Sequence, residues 1–452
     1  MEKEEAKMFK ILMFPWLAHG HIFPFLELAK TLSKRNFTIH FCSTAINLDS
    51  IKSNLANDPS VLDDSIKLLE LEIESPELPP ELHTTKNLPP HQFPLLIKDF
   101  ENSKSSFFSI FDTLKPDMLI YDVFNPWAAK HALSHGSPSV WFMASGATIC
   151  SFHYHQHLHK TGSLVPYEGV DFGEIKRHIS PNTKGADFGG FILGSLNSSS
   201  EIILLKTSKE LEKKYIDYLS FLCRKQIIPT GLLIANSDEK DEPEIMQWLD
   251  EKSERSTVYI SFGSECFLSK EQIEEVAKGL ELSNVNFIWI IRFPEGKNSM
   301  TVENALPEGF LERVKGRGMV IWKFAPQTRI LAHKSIGGFV SHCGWSSITE
   351  SVYFGVPIIA MPMKFEQVVN GVVVVEVGVG VEVEKDGSGQ YLGEEVAKAL
   401  DKVFGDNEFS KEVRYRASNL SDKIRENEEQ EEDKVAEQLM SLCAKNKLQK
   451  CD

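Results

Sequence analysis

At 452 residues the chain is too long for one ordinary core, and two domains are the expected count. Its 49 Lys plus Arg stand against 64 Asp plus Glu, a formal charge of -15, and no Lys/Arg run is long enough to line a polyanion groove, so neither nucleic acid nor an anionic membrane is an expected partner. The seven Cys residues (42, 150, 223, 266, 343, 443 and 451) are odd in number and lack any C-x-x-C spacing, which argues against a disulfide framework or a zinc site and favours a reducing, cytoplasmic compartment.

The first ten residues, MEKEEAKMFK, set three Glu against three Lys where a signal peptide would be basic, and the apolar run from Phe9 soon meets Pro15 and His19, so it reads as a first strand. No stretch reaches the roughly 18 to 20 apolar residues of a membrane span. The sequons at Asn36 and Asn197 are then expected to be silent. From Phe9 to about Ser237, short strands (Lys10-Phe14, Phe37-Cys42, Met118-Tyr121, Ser139-Phe142) alternate with helical patterns such as Pro24-Lys34, the rhythm of an open parallel α/β sheet. Prolines at 76, 79, 80, 89 and 90 break helix and ladder alike and predict a surface loop over Ser75-Pro90.

Residues 238–256 turn strongly charged and are read as a linker between domain 1–237 and domain 257–429. Beyond them the alternation resumes in Asn286-Ile291, Met319-Trp322, Gly337-Ser341, Pro357-Ala360 and Gly380-Glu384. The acidic run Glu426-Asp433 is followed by Val435, Leu439 and Leu442 at helical spacing, which predicts a terminal helix over 430–452 with a solvated first half. Two successive doubly wound halves are the simplest fold.

The most informative stretch runs from Gly337 to Glu350: a buried strand, a Gly-containing turn and the start of a helix. Ligands of open α/β sheets bind beyond the carboxyl ends of the strands, and a helix N-terminus there offers free N–H groups and a positive dipole end to phosphate. His342 and Ser347 add donors, and Glu350, one turn on, is placed to accept from ribose hydroxyls. Such turns are common in α/β proteins, and the neighbouring residues decide the reading.

From Phe324-Ala-Pro-Gln to Glu366-Gln367, 44 positions without a gap, the chain resembles the donor-binding signature of plant family 1 UDP-glycosyltransferases. The resemblance implies a GT-B architecture, two Rossmann-like domains facing across a cleft, with the C-terminal helix packed back on the N-terminal domain. It implies UDP-glucose as co-substrate with no metal and no other cofactor. It also implies roles: Phe324 stacking on uracil, the Ala325 backbone on its edge, Gln327 and Glu350 on ribose, His342, Ser347 and Ser264 on the diphosphate, and Glu366 and Gln367 on sugar hydroxyls. Gly344, Trp345 and Ser346 complete the donor turn. Phe324 stands where the family usually has Trp, and Ser346 where it usually has Asn, which removes stacking area and a hydrogen-bonding group from the donor site. Gln367 favours UDP-glucose over UDP-galactose.

Displacement at an anomeric carbon needs a base for the acceptor hydroxyl, and His is the usual choice near neutral pH. His21, in Gly20-His-Ile-Phe-Pro24 before a helix that Pro24 would open, is the candidate, with Asp122 at a strand end to hold its tautomer; family 1 enzymes pair a His and an Asp at these positions. The reaction would invert the anomeric centre. The run His153-x-His155-x-His157-x-His159 scatters its rings around a helix and does not predict a metal site. By resemblance, Trp16, Met143, Ser145 and Phe152 line the acceptor site. The segments around His21 and Asp122 resemble the branch-forming subgroup, which adds sugar to a glycoside, and within it glucosyltransferases of triterpenoid mogrosides, so β-1,6 or β-1,2 branching of a small glycoside by a monomer is the expectation. A flavonoid or other small aglycone or glycoside is the alternative acceptor. A nicotinamide-dependent oxidoreductase is disfavoured because Pro15-Trp-Leu-Ala-His-Gly-His lacks the glycines of a dinucleotide turn. A UDP-sugar-binding or epimerase-like protein would share the fold without transfer.

Overall fold

The computed structural model describes residues 8–56, 58, 65–86, 88–158, 188–235, 242–263, 266–293, 302–322, 325–364 and 366–449. Ser264, Phe324, His159 and Cys451 lie outside them. The chain divides into two compact units, one holding residues up to 158, 188–235 and 427–449, the other 242–426.

The first unit is built on a seven-stranded sheet whose paired strands all run parallel. Its strands are β1 (Phe9–Phe14), β2 (Phe37–Ser43), β3 (Ile66–Glu70), β4 (Met118–Tyr121), β5 (Ser139–Met143), β6 (Ile202–Leu205) and β7 (Gln226–Pro229), in the order β3-β2-β1-β4-β5-β6-β7. The central strands are buried along nearly their whole length, as expected where helices cover both faces. The helices are α1 (His19–Ser33), α2 (Ala45–Ala56), α3 (Phe93–Asn102), α4 (Lys104–Leu114), α5 (Pro126–Ser134), α6 (Ala147–Leu158), α7 (Phe188–Ser198) and α8 (Lys209–Cys223). Strand order reverses at the β1/β4 boundary, where Phe14 pairs with Tyr121, and a crevice opens beyond strand ends at such a reversal.

The first helix starts five residues before the sequence predicts. Pro24 lies inside α1 instead of opening it, and His21 becomes its third residue, with its N–H on the Ala18 carbonyl at 2.9 Å. Pro24 removes the bond that the Gly20 carbonyl would otherwise receive, and Gly20 is exposed, where a helix-end carbonyl costs little.

The second unit carries a six-stranded sheet, order β10-β9-β8-β11-β12-β13, formed by β8 (Thr257–Ser261), β9 (Asn286–Ile290), β10 (Gly318–Ile321), β11 (Ile336–Ser341), β12 (Ile358–Ala360) and β13 (Gly380–Glu382). Order again reverses between β8 and β11, where Ser261 pairs with Ser341. Its helices are α9 (Pro243–Asp250), α10 (Lys270–Ser283), the short α11 (Val302–Ala305) and α12 (Phe310–Arg313), α13 (Gln327–Leu331), α14 (Trp345–Tyr353), α15 (Gln367–Val377) and α16 (Gly393–Phe404). The segment 238–256, read as a linker from its charge, contains α9. Ile245 and Leu249 of that helix are buried beside Tyr259 and Ile330, so its charged residues are the solvated face of an amphipathic helix.

The C-terminal helix α17 (Glu408–Gln449) is 42 residues long and begins well before residue 430. Ser421 Oγ in its first half donates to the Tyr353 carbonyl of the second unit. In its second half Val435, Ala436, Leu439, Leu442 and Cys443 are buried with Ile11, Phe25 and Leu28 of the first unit. The acidic run is not simply solvated: Arg35 meets Glu432 and Asp433, each at 2.8 Å. Among the described residues no helix is long and apolar enough to cross a membrane. Leu439 is fully buried and Leu448 is 70% exposed. Leu439→Ala should therefore cost about 2–5 kcal/mol in denaturant unfolding, and Leu448→Ala under about 0.5 kcal/mol.

Candidate active site

In the first unit, parallel pairing of β1 and β4 brings the residues that follow them together. Asp122 leaves β4 and His21 lies in the first turn of α1, and His21 Nδ1 is 2.9 Å from Asp122 Oδ2. A carboxylate can only accept, so Nδ1 carries the proton and the basic lone pair sits on Nε2. The Asp122 side chain is 1% exposed and that of His21 29%. Asn125 fixes the carboxylate's backbone, accepting from Asp122 N at 2.8 Å and donating to the Phe14 carbonyl at 2.8 Å, which ties the two strand ends together. Asp122 Oδ1 is buried with no hydrogen-bond partner among the described residues. His19 is also drawn toward its neutral form, by burial and then by the nearby Lys86.

The Pro-rich segment forms a wall against the chain just ahead of α1. Thr84 Oγ1 and Thr85 N both donate to the Leu17 carbonyl, just ahead of α1, and Thr44 Oγ1 donates to the His83 carbonyl. The expected acceptor residues separate. Trp16 is 1% exposed, wedged among Phe93, Phe100 and Phe124, so it backs the wall and does not present its face to a ligand. Met143 ends β5 and is buried, as is Phe152 on α6. Ser145 is half-buried, with an Oγ that has no partner among the described residues. The ring facing His21 is Phe124, 6.0 Å away, with Phe191 5.4 Å beyond it. Sequence reading missed Phe124, Asn125 and the two threonines, although Asp122-Val-Phe-Asn-Pro carried the signal of an aromatic and an Asx residue just before a Pro-led helix. Of the His run, His155 Nδ1 meets Tyr218 Oη at 2.5 Å, and burial holds His153 down at about 4.

Glu212 is a second buried carboxylate. It accepts from Ala147 N, Thr148 N and Thr148 Oγ1, which satisfies the first turn of α6. Burial outweighs these bonds and raises its pKa.

In the second unit the turn from β11 to α14 has the geometry of an anion site. Cys343 takes a left-handed φ of 64° with its N–H on Ser341 Oγ, and Gly344 caps α14 with no side chain, leaving the helix N–H groups uncapped by one. The His342 ring is pressed between two glycines: a Cβ on Gly263 or Gly344 would lie 2.7 or 2.6 Å from Nε2. Burial, and then Lys364, push the His342 pKa down to about 4, so the ring is neutral near pH 7. Gln327 Nε2 donates to Glu350 Oε2 at 2.7 Å and approaches Ser347 Oγ at 3.3 Å, while Tyr259 Oη contacts Gln327 Oε1 at 3.3 Å. Tyr259 is thus an orienting residue that sequence reading missed. Ala325 is buried next to α13, and Trp345 is buried at the start of α14 beside the half-buried Ser346. Glu366 caps α15, and Gln367 Oε1 accepts from Met363 N and Lys364 N, so this amide organises the preceding loop and only its NH₂ end is available for a sugar. Ser264 and Phe324 fall outside the described residues.

The unfolded chain binds a proton at His342 near pH 6.5, whereas the folded chain resists it to about pH 4. The stability this provides is complete above about pH 6.5 and lost as pH falls toward about 4, roughly 3 kcal/mol in all. Relative to His342→Gln, the wild-type thermal midpoint should therefore fall between about pH 7 and about pH 4.5; a constant difference would contradict a buried neutral imidazole.

The family model described as UDP-glucoronosyl and UDP-glucosyl transferase matches residues 217–424, and one described as glycosyltransferase, N-terminal domain, matches residues 7–226. The chain is 44% identical over 447 residues to mogroside IIIx synthase of Siraitia grosvenorii, covering 96% of this chain and 98% of the relative. It is 42% identical to β-D-glucosyl crocetin β-1,6-glucosyltransferase of Gardenia jasminoides, covering 95% and 98%. Among solved structures, that of Phytolacca americana UGT2 complexed with UDP-2-fluoro-glucose and pterostilbene superposes with a TM-score of 0.78 at 26% identity, over 96% of this chain and 99% of that one. Two parallel-sheet units of this kind are the GT-B architecture, and the chain belongs to the plant family 1 UDP-glycosyltransferases.

Proposed function

We propose that this enzyme moves glucose from UDP-glucose to a sugar hydroxyl of a small glycoside of triterpenoid type, forming a β-1,6 or β-1,2 branch with inversion. The observation that carries the mechanism is the 2.9 Å contact of His21 Nδ1 with the buried Asp122 carboxylate. His21 Nε2 takes the proton of the acceptor hydroxyl as its oxygen attacks the anomeric carbon, and the bond to the diphosphate breaks. Asp122 keeps the proton on Nδ1 and stabilises the imidazolium that forms. The α14 N-terminus, His342 and Ser347 receive the charge that grows on UDP, with Ser264 contributing to the same diphosphate. Phe324 and Ala325 hold uracil, Gln327 and Glu350 the ribose, and Glu366 and Gln367 the glucose. Gly344, Trp345 and Ser346 shape the turn.

Support for a glycoside acceptor comes from the relatives named for mogroside IIIx and for glucosyl crocetin. In this reading residues 1–237 form the acceptor domain and 257–429 the donor domain, no metal takes part, and a cytoplasmic monomer is the working form. Six described cysteines without a disulfide suit that compartment.

An acceptor screen with UDP-glucose, read by mass spectrometry, should add one hexose to a glycosylated triterpenoid and none to its aglycone, with kcat lowered on the order of 10²- to 10⁴-fold in His21→Ala. Activity on the aglycone alone would overturn the branching assignment. Ser346→Asn, which adds an amide at the donor turn, should lower the KM for UDP-glucose or raise kcat by up to about tenfold, the equivalent of one hydrogen bond; unchanged kinetics would show that Ser346 does not limit donor binding.

A further inference from the structure

Away from the His21–Asp122 pair, the first unit brings one carboxylate and two imidazoles together. Asp112 lies in the last turn of α4, while His131 and His135 are one turn apart on α5 and its end, and so share a face. His131 Nε2 is 2.9 Å and His135 Nε2 3.6 Å from the same oxygen, Asp112 Oδ1, and a ligand atom from each residue lies within 4.8 Å of the others. The rings are held in place by aromatic neighbours. Phe108 stacks on His131 with centroids 3.9 Å apart, and Phe111 meets His131 and His135 edge-on at 5.2 and 6.0 Å.

The proton positions make this arrangement informative. His135 Nδ1 lies 3.0 Å from the His131 carbonyl, which can only accept, so Nδ1 carries the ring proton. The lone pair of the neutral ring is then on Nε2, the atom that faces the Asp112 carboxylate. In that form two acceptors face each other at 3.6 Å, an arrangement that a shared cation would bridge. An imidazole whose Nδ1–H is anchored on a carbonyl while Nε2 points to a carboxylate-bearing site is also the usual orientation of a metal-bound histidine.

We propose that Asp112, His131 and His135 bind one divalent transition cation of the zinc class, with two nitrogens, one oxygen and a water completing four-coordination. His131 Nε2 releases its proton to solvent as the cation binds. The ion clips the end of α4 to the end of α5. Asp122 precedes the opposite end of α5, a helix about 13 Å long, so the clip is separate from the proposed proton transfer.

The full chain is titrated with Co(II) under visible absorption and with Zn(II) by calorimetry, at about pH 7.5. One equivalent should bind, with cobalt d–d bands and no thiolate charge-transfer band. His135→Ala and Asp112→Asn should each weaken binding at least about tenfold and leave sugar transfer unchanged. No saturable binding, wild-type affinity in either variant, or a thiolate band would overturn the proposal. So would proton uptake at His135 near neutral pH that neither cation displaces.

Discussion

Parallel pairing of β1 with β4 is the constraint on which the reactive chemistry rests. It fixes Phe14 opposite Tyr121, and every side chain of the proposed proton relay follows from that register. One residue past Tyr121 the chain releases Asp122; a few residues past Phe14 it winds into α1 and delivers His21. Asn125 then bridges the strand ends through Asp122 N and the Phe14 carbonyl, so the carboxylate and the imidazole cannot drift apart without breaking buried hydrogen bonds. The two threonines on the Leu17 carbonyl restrain the same approach from the other side. A His–Asp contact between residues about a hundred positions apart is thus a property of sheet order rather than of either side chain.

The second unit applies the same geometry to the opposite electrostatic problem. At its own strand reversal, between β8 and β11, no buried Lys or Arg stands among the described residues. The turn offers helix N–H groups and an imidazole that burial keeps neutral. Two glycines make room for the His342 ring: side chains at 263 or 344 would occupy the space of its Nε2. Gln327 links Tyr259, Ser347 and Glu350, so the groups expected to meet ribose and diphosphate are ordered by one hydrogen-bonded set before any ligand arrives.

Much of this was legible in the sequence, for identifiable reasons. Buried parallel strands read as continuous apolar runs, so β1, β4, β5, β8 and β11 were visible, and the gapless 44-position signature carried the donor site. What escaped depended on long-range packing. The start of α1 was misplaced because Pro24 is the usual mark of a first turn, whereas here an exposed Gly20 lets the proline sit deeper. The segment 238–256 looked like a linker because α9 shows the chain only two buried residues, Ile245 and Leu249. The acidic run near 430 read as solvated because its partner Arg35 is about 400 residues away. Trp16 entered as an acceptor residue by resemblance alone, and the rings that enclose it, Phe93 and Phe100, are far from it in sequence.

In the proposed reaction a neutral His342 and the Asp122 carboxylate are complementary choices. In the proposed transfer, negative charge moves onto the diphosphate as its bond to the sugar breaks, while positive charge appears on His21. Neutral donors aimed at the diphosphate bind it modestly in the ground state and more strongly as its charge grows, which accelerates the step; a buried cation would strengthen binding of the donor and of departing UDP as well. At the other end the carboxylate is buried, with one oxygen on the imidazole and the other unpartnered among the described residues. That leaves its charge available for the imidazolium at the moment it forms. On the proposed mechanism, preorganised charge serves the base and preorganised dipoles serve the leaving group, the two groups whose charge changes most between ground and transition state.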